Sequence, residues 1–145
     1  MYRSILIATD GSELAEHAVT DGLGLAKPLG AKVTVVTVTD IFPTAQQALF
    51  PRPADIDWYE ARAATSARKI LDRVSEAARE MGITCSTQHV ADEVPAQGIL
   101  KACKEHGCDL IVMATHGRRG LDKLLLGSQS AKVVTLSSVP VLICR

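Results

Sequence analysis

Two runs near the start of the chain, RSILIAT (3–9) and KVTVVTVT (32–39), carry apolar or β-branched residues at almost every position, and each is followed by an aspartate. A strand with one face in water alternates apolar with polar residues, so runs this continuous belong to strands covered on both faces. Covering both faces requires helices above and below a mostly parallel sheet. The segments between the runs carry that signal. SELAEHAVTDGLGLAKPLG (12–30) spaces its apolar residues helically, opens on Ser12 as a cap and stops near Pro28 and Gly30. A long amphipathic stretch from Trp58 to about Met81, rich in Ala, Arg and Glu, is closed by Gly82.

The cycle then repeats: ITCSTQHV (83–90) alternates like a strand near a sheet edge, AQGILKACKEHG (96–107) is a short helix ended by Gly107, and DLIVMAT (109–115) is a fully buried strand. SQSAKVVTLS (128–137) is a helix and VPVLICR (139–145) a last strand. Five strands alternating with four helices predict an α/β fold: one domain over 1–145, an open twisted five-stranded parallel sheet in the order 3-2-1-4-5, with helices on both faces and right-handed crossovers. Asp40 to Asp57, with three prolines, is expected to be a surface loop.

Sixteen basic residues balance sixteen acidic ones, which removes the broad positive field of a general nucleic-acid binder, and the aromatics are too few for base-stacking platforms. No nucleic-acid partner is expected. The apolar start MYRSILIATDGS is too short and too polar for a signal peptide and no later run reaches membrane length, so the expected address is cytoplasmic, with no membrane partner. Cys85, Cys103, Cys108 and Cys144 show no CxxC spacing and read as small buried hydrophobes; the CKEHGC cluster (103–108) has no second half, so no metal ligands are assigned.

In an open parallel sheet, ligands bind beyond the carboxyl ends of the strands where the winding reverses, here between the first and fourth. The first strand ends at Thr9 and Asp10; the fourth ends at Met113 and Ala114 and runs into THGRRG. Gly117 and Gly120 allow close approach of backbone to a ligand, and Arg118 and Arg119 bring local positive charge. Gly127 and Ser128 open the fourth helix, whose free N–H groups attract anions, and the hydroxyls of Ser128 and Ser130 add hydrogen bonds. Asp10 suits a ribose hydroxyl or a divalent ion near phosphates, and it equally suits an Asp-Gly-Ser turn. His116 reads as a loop residue; His17, His89 and His106 receive no role.

With ILIATDGS, VTVVTVTD, DLIVMATHGRRG, LLLGSQSAKVV and VPVLICR in place, the whole chain resembles the universal stress proteins. The nucleotide-binding branch of that family carries Gly, two residues, Gly, nine residues, then Gly with Ser or Thr. Gly117, Gly127 and Ser128 match this pattern, and Ala114 replaces its first glycine. The resemblance implies a Rossmann-like, adenine nucleotide alpha hydrolase-like fold that binds ATP, with Mg2+ or Mn2+ held through the phosphates. It implies that Asp10 contacts the ribose or phosphate side, that Val38 lies beside adenine through its backbone, and that Ala114 and Gly117 bracket ribose and phosphates. Gly127, Ser128, Gln129 and Ser130 are then expected to hold the phosphate chain.

The sequence lacks the Gly-Lys-Ser/Thr of a P-loop and the SGGxDS of pyrophosphatase-type synthetases, and shows no base placed to orient water. Hydrolysis is therefore expected to be at most slow, and the resemblance implies an ATP-occupied switch or sensor in a stress response. The last strand, Val139 to Cys144, would expose an apolar sheet edge in a monomer, so a homodimer through it is expected, as the resemblance also implies. Two alternatives stand beside this reading: a nucleotide-free dimeric interaction module of the same fold, and a slow ATPase.

Overall fold

The computed structural model describes residues 1–41, 53–116 and 126–145. Strand β1 (Ser4–Ala8) leads through helix α1 (Glu13–Leu29) to β2 (Lys32–Val38). Helix α2 (Pro53–Glu80), β3 (Cys85–Val90) and α3 (Pro95–Glu105) follow, then β4 (Leu110–Ala114), α4 (Ser128–Leu136) and β5 (Val141–Cys144). The sheet order is β3-β2-β1-β4-β5 with every neighbouring pair parallel, as the sequence pattern predicts.

Residues of successive parity along the inner strands serve opposite faces. Ile5, Ile7, Val33, Val35 and Val112 pack with α1 and α2 through Val19, Leu23, Leu71 and Val74. Leu6, Ala8, Val36, Ile111 and Met113 pack with α3 and α4 through Ile99, Ala102 and Val133. All four cysteines are free thiols; Cys103, Cys108 and Cys144 are buried in these cores and Cys85 is half-buried. Burial pushes the thiols of Cys103 and Cys144 up to about 11, as inert interior groups require.

The cap signals behave as read. Ser12 accepts a hydrogen bond from the Ala15 N–H at 3.3 Å, and α1 ends at Gly30 in the left-handed conformation. Pro28 lies inside the last turn of α1 instead of beyond it. The start of α2 needs a correction. The sequence pattern places it at Trp58, with Asp40 to Asp57 as loop, but the helix begins at Pro53. Proline is well tolerated at a first helical position, where its missing N–H would have had no partner. The rest of that segment, 42–52, lies outside the described residues.

This extension matters for the cavity described below. A helix of 28 residues is about 42 Å long, whereas strands of five to seven residues span roughly 17–23 Å. Helix α2 therefore overshoots the sheet, and its first half stands beyond the carboxyl end of β2. Among the described residues no helix is long and apolar enough to cross a membrane.

Candidate functional site

At the carboxyl end of β1 the chain turns sharply through Thr9, Asp10, Gly11 and Ser12. Gly11 takes φ 76°, which a side chain disfavours, and its N–H donates to Thr9 Oγ1 at 3.1 Å. The Ser12 N–H donates to Asp10 Oδ1 at 3.0 Å, so the Asp-Gly-Ser turn forms. Thr9 knits the end of β1 to β2: its N–H donates to Val36 O at 3.0 Å, and its carbonyl accepts from Thr37 Oγ1 at 2.8 Å. Its hydroxyl and both backbone groups are thus engaged within the protein.

At the carboxyl end of β4, Thr115 and His116 lead out of the sheet, and the chain returns at Gly127 to start α4. The Gly127 N–H donates to Thr115 O at 2.8 Å, and a Cβ on Gly127 would sit 2.9 Å from that same oxygen. Its φ of −58° suits any residue, so glycine is required here by contact with the chain's own backbone and not by its dihedral angles. The Ser130 hydroxyl donates to Ala114 O at 3.1 Å and is buried. The Gln129 carboxamide oxygen accepts from the Ala96 N–H at 3.1 Å, supplying α3 with a cap that Val94 cannot provide. These two side chains thus latch α4 to β4 and to α3. Ser128 stays exposed. Among the described residues helix α4 has no side-chain cap and no acidic residue in its first turn, an arrangement that suits an anion at its N–H groups and positive dipole end. Ala114 buries its methyl in the core shared with α1, where it is 5% exposed.

These two strand ends border one cavity of about 700 Å3, inside the roughly 300–1,000 Å3 usual for small-molecule sites. Thr9, Asp10, Val38, Met113 and Ala114 line it. So do Gly127, Ser128, Gln129 and Ser130 from the mouth of α4. Gly117, Arg118 and Gly120 lie outside the described residues, as does Arg119.

A third wall was not expected. Trp58, Tyr59, Arg62 and Ser66, on the overshooting half of α2, face Val38, Thr39 and Asp40 across the cavity. The Tyr59 hydroxyl donates to Asp40 O at 3.2 Å and pins that half of the helix to the β2 end. In sequence these residues read as one surface of an amphipathic helix; only the length of the helix against the strands could have pointed to them. Pro95 and Ile99 of α3 and His116 also reach the cavity.

The described lining is mixed in charge, with carboxylates at Asp10 and Asp40 and a guanidinium at Arg62. Among the described residues no group of three or more His, Cys, Asp or Glu is placed to hold a metal ion. The donor set fits an anionic group at the mouth of α4, with a mostly apolar slot toward β2 formed by Val38, Ile70 and Ile99.

Comparison with known proteins agrees with this geometry. The family described as the universal stress protein family matches residues 1–145. Universal stress protein YxiE of Bacillus subtilis is 34% identical over 149 residues, with all of both chains covered. The solved structure of hypothetical protein MJ0577 superposes with a TM-score of 0.85 at 25% identity, covering 99% of this chain and 96% of that one. A universal stress protein solved in complex with cAMP gives a TM-score of 0.73 at 26% identity, covering 99% and 97% of the two chains. From its strand order to its last residue, the chain belongs to the universal stress protein family.

Proposed function

We propose that the protein binds an adenine nucleotide, ATP in the first instance, at the switch point of its sheet and acts as an occupied-or-empty switch in a stress response. The observation that carries this reading is the uncapped first turn of α4 opening into the same cavity as Asp10 and Val38. The Ser128, Gln129 and Ser130 N–H groups have no acceptor within the helix and suit phosphate oxygens. Val38 and Ile99 offer the base an apolar slot, and Asp10 stands between the two ends for a ribose hydroxyl or a phosphate-bound Mg2+ or Mn2+. Gly117 belongs to the same reading through the family pattern, and Arg118 and Gly120 through the charge and the close backbone approach expected of that segment. The cAMP complex of a relative supports an adenine nucleotide as the ligand class.

Binding, not turnover, is the proposed activity. The sequence carries no P-loop lysine, and Asp10 and His116 are tied into the loops that frame the cavity, Asp10 as acceptor of the Ser12 N–H and His116 with Nδ1 3.0 Å from Thr115 Oγ1. The homodimer belongs to this reading too: β5 is the edge strand of the sheet, and its Leu142 is 39% exposed. Sedimentation of the purified protein tests it, a monomer at micromolar concentration counting against it.

For the nucleotide, the first test is to denature purified protein and identify what is released by chromatography, followed by calorimetric titration with ATP and Mg2+. A bulky residue at Gly127 is a poor probe, because its Cβ would strike Thr115 O whatever the cavity holds. Ser128→Glu is cleaner. A carboxylate at the first position of α4 should stabilise the helix by about 0.3–1 kcal/mol while repelling phosphate. Higher stability with at least tenfold weaker ATP binding is expected; no heat from the wild type, or unchanged affinity in the variant, sinks the reading.

A further inference from the structure

The overshooting half of α2 brings an aromatic ring and a cation to the β2 end of the cavity. Trp58, the one tryptophan of the chain, remains 63% exposed although large apolar rings are usually turned inward. Arg62, one turn further along, holds its Cζ 4.8 Å from the centre of that ring. Two other arginines of α2, Arg73 and Arg79, pair with Glu16 and Glu76. Among the described residues Arg62 makes no ion pair. A π face, and not a carboxylate, therefore orients this guanidinium, and both side chains line the cavity. The Tyr59 to Asp40 hydrogen bond fixes the intervening turn against the end of β2, next to Val38.

A guanidinium is planar, so stacking one face on an indole leaves the other for a second flat group. Nucleobases are such groups, and they stack on arginine planes as well as on aromatic rings. We propose that Arg62, backed by Trp58, is the base-stacking residue of this cavity and reads the heterocycle of the ligand, not its phosphates. The proposal rests on the nucleotide reading above and adds a determinant from α2 that lies outside the glycine pattern. A role for Arg62 as a point charge on phosphate is the competing use, and it fits the placement less well: the uncapped mouth of α4 belongs to the β4 side of the cavity, whereas Arg62 shares its wall with Tyr59 and the β2 end. Trp58 is a positioning residue in this scheme.

The test is calorimetric titration of the full chain with ATP and with AMP, in the wild type, Arg62→Ala, Arg62→Lys, Trp58→Ala and Trp58→Phe. Both side chains are exposed, so thermal melts should show all variants folded. Loss of the stacking plane should weaken ATP and AMP by the same factor, about tenfold, with lysine failing to restore it. Trp58→Ala should follow Arg62→Ala, and Trp58→Phe should stay near the wild type. Loss confined to ATP, rescue by Arg62→Lys, or unchanged affinity in Arg62→Ala overturns the stacking role while leaving nucleotide binding intact. Failure of the wild type to bind either nucleotide overturns the nucleotide reading, and this proposal with it.

Discussion

Replacing Gly98 by alanine adds a single methyl to a buried face of α3, and the structure says where it lands. The new Cβ would lie 2.8 and 2.9 Å from the two γ-carbons of Val38 and 3.3 Å from Val90 Cγ1. Neither valine can move aside easily: both are β-branched and both sit in the β2–β3 ladder, paired with each other. Overpacking of this kind costs about 1–3 kcal/mol, while alanine in a helix recovers roughly 1 kcal/mol over glycine. The net expectation is a loss of about 1 kcal/mol. Gly24, on the exposed side of α1, has nothing within 4 Å of its Cβ position, so Gly24→Ala should instead gain about 0.5–1 kcal/mol. The two variants should therefore melt several degrees apart, at about 4 °C per kcal/mol for a chain of this size. Urea unfolding should show shifted midpoints with unchanged slopes. Gly98→Ala also pushes on Val38, so its nucleotide affinity should fall while that of Gly24→Ala stays constant. If Gly98→Ala proves as stable as Gly24→Ala, the tight contact between α3 and the β2 wall of the cavity is wrong.

The latch between α4 and β4 is tested by Ser130→Ala, which removes the donor to Ala114 O; a loss of about 1 kcal/mol in urea unfolding is expected, and a neutral result would mean the bond holds nothing. His89, with Nε2 2.8 Å from Thr39 Oγ1, is held below its usual 6.5 by burial, against the raising effect of Asp92. A depressed imidazole favours the neutral form in the folded state, so its contribution is complete above pH 6.5 and declines as the pH falls below that value. An NMR titration should place the His89 midpoint below 6.5, and His89→Gln should flatten the corresponding part of the stability curve; a midpoint at or above 6.5 contradicts the burial argument.

Most of the architecture was readable because it depends on local patterns. Apolar runs at every position could only be doubly covered strands, and Ser12, Gly30 and Gly82 marked helix ends as their backbone preferences dictate. The handedness of parallel crossovers then left few sheet orders open, and the one adopted brings Asp10 and Ser128 to the same cavity. The start of α2 is not legible in the sequence because proline breaks a helix interior, whereas at a first helical position it breaks nothing.

What the pattern of residues settled alone is the alternation of strands and helices, the place where the winding reverses and the family pattern around Gly127 and Ser128. The folded chain decided what each side chain there is free to do. The Ser130 hydroxyl and the Gln129 carboxamide oxygen meet Ala114 and Ala96, and Gly127 is small because it lies against Thr115. The wall carrying Trp58 and Arg62 arises only when a helix longer than its strands is laid across them. Periodicity reports which side of an element is apolar; it carries no information about which distant segment the polar side will meet, because that is set by packing between parts of the chain far apart in sequence.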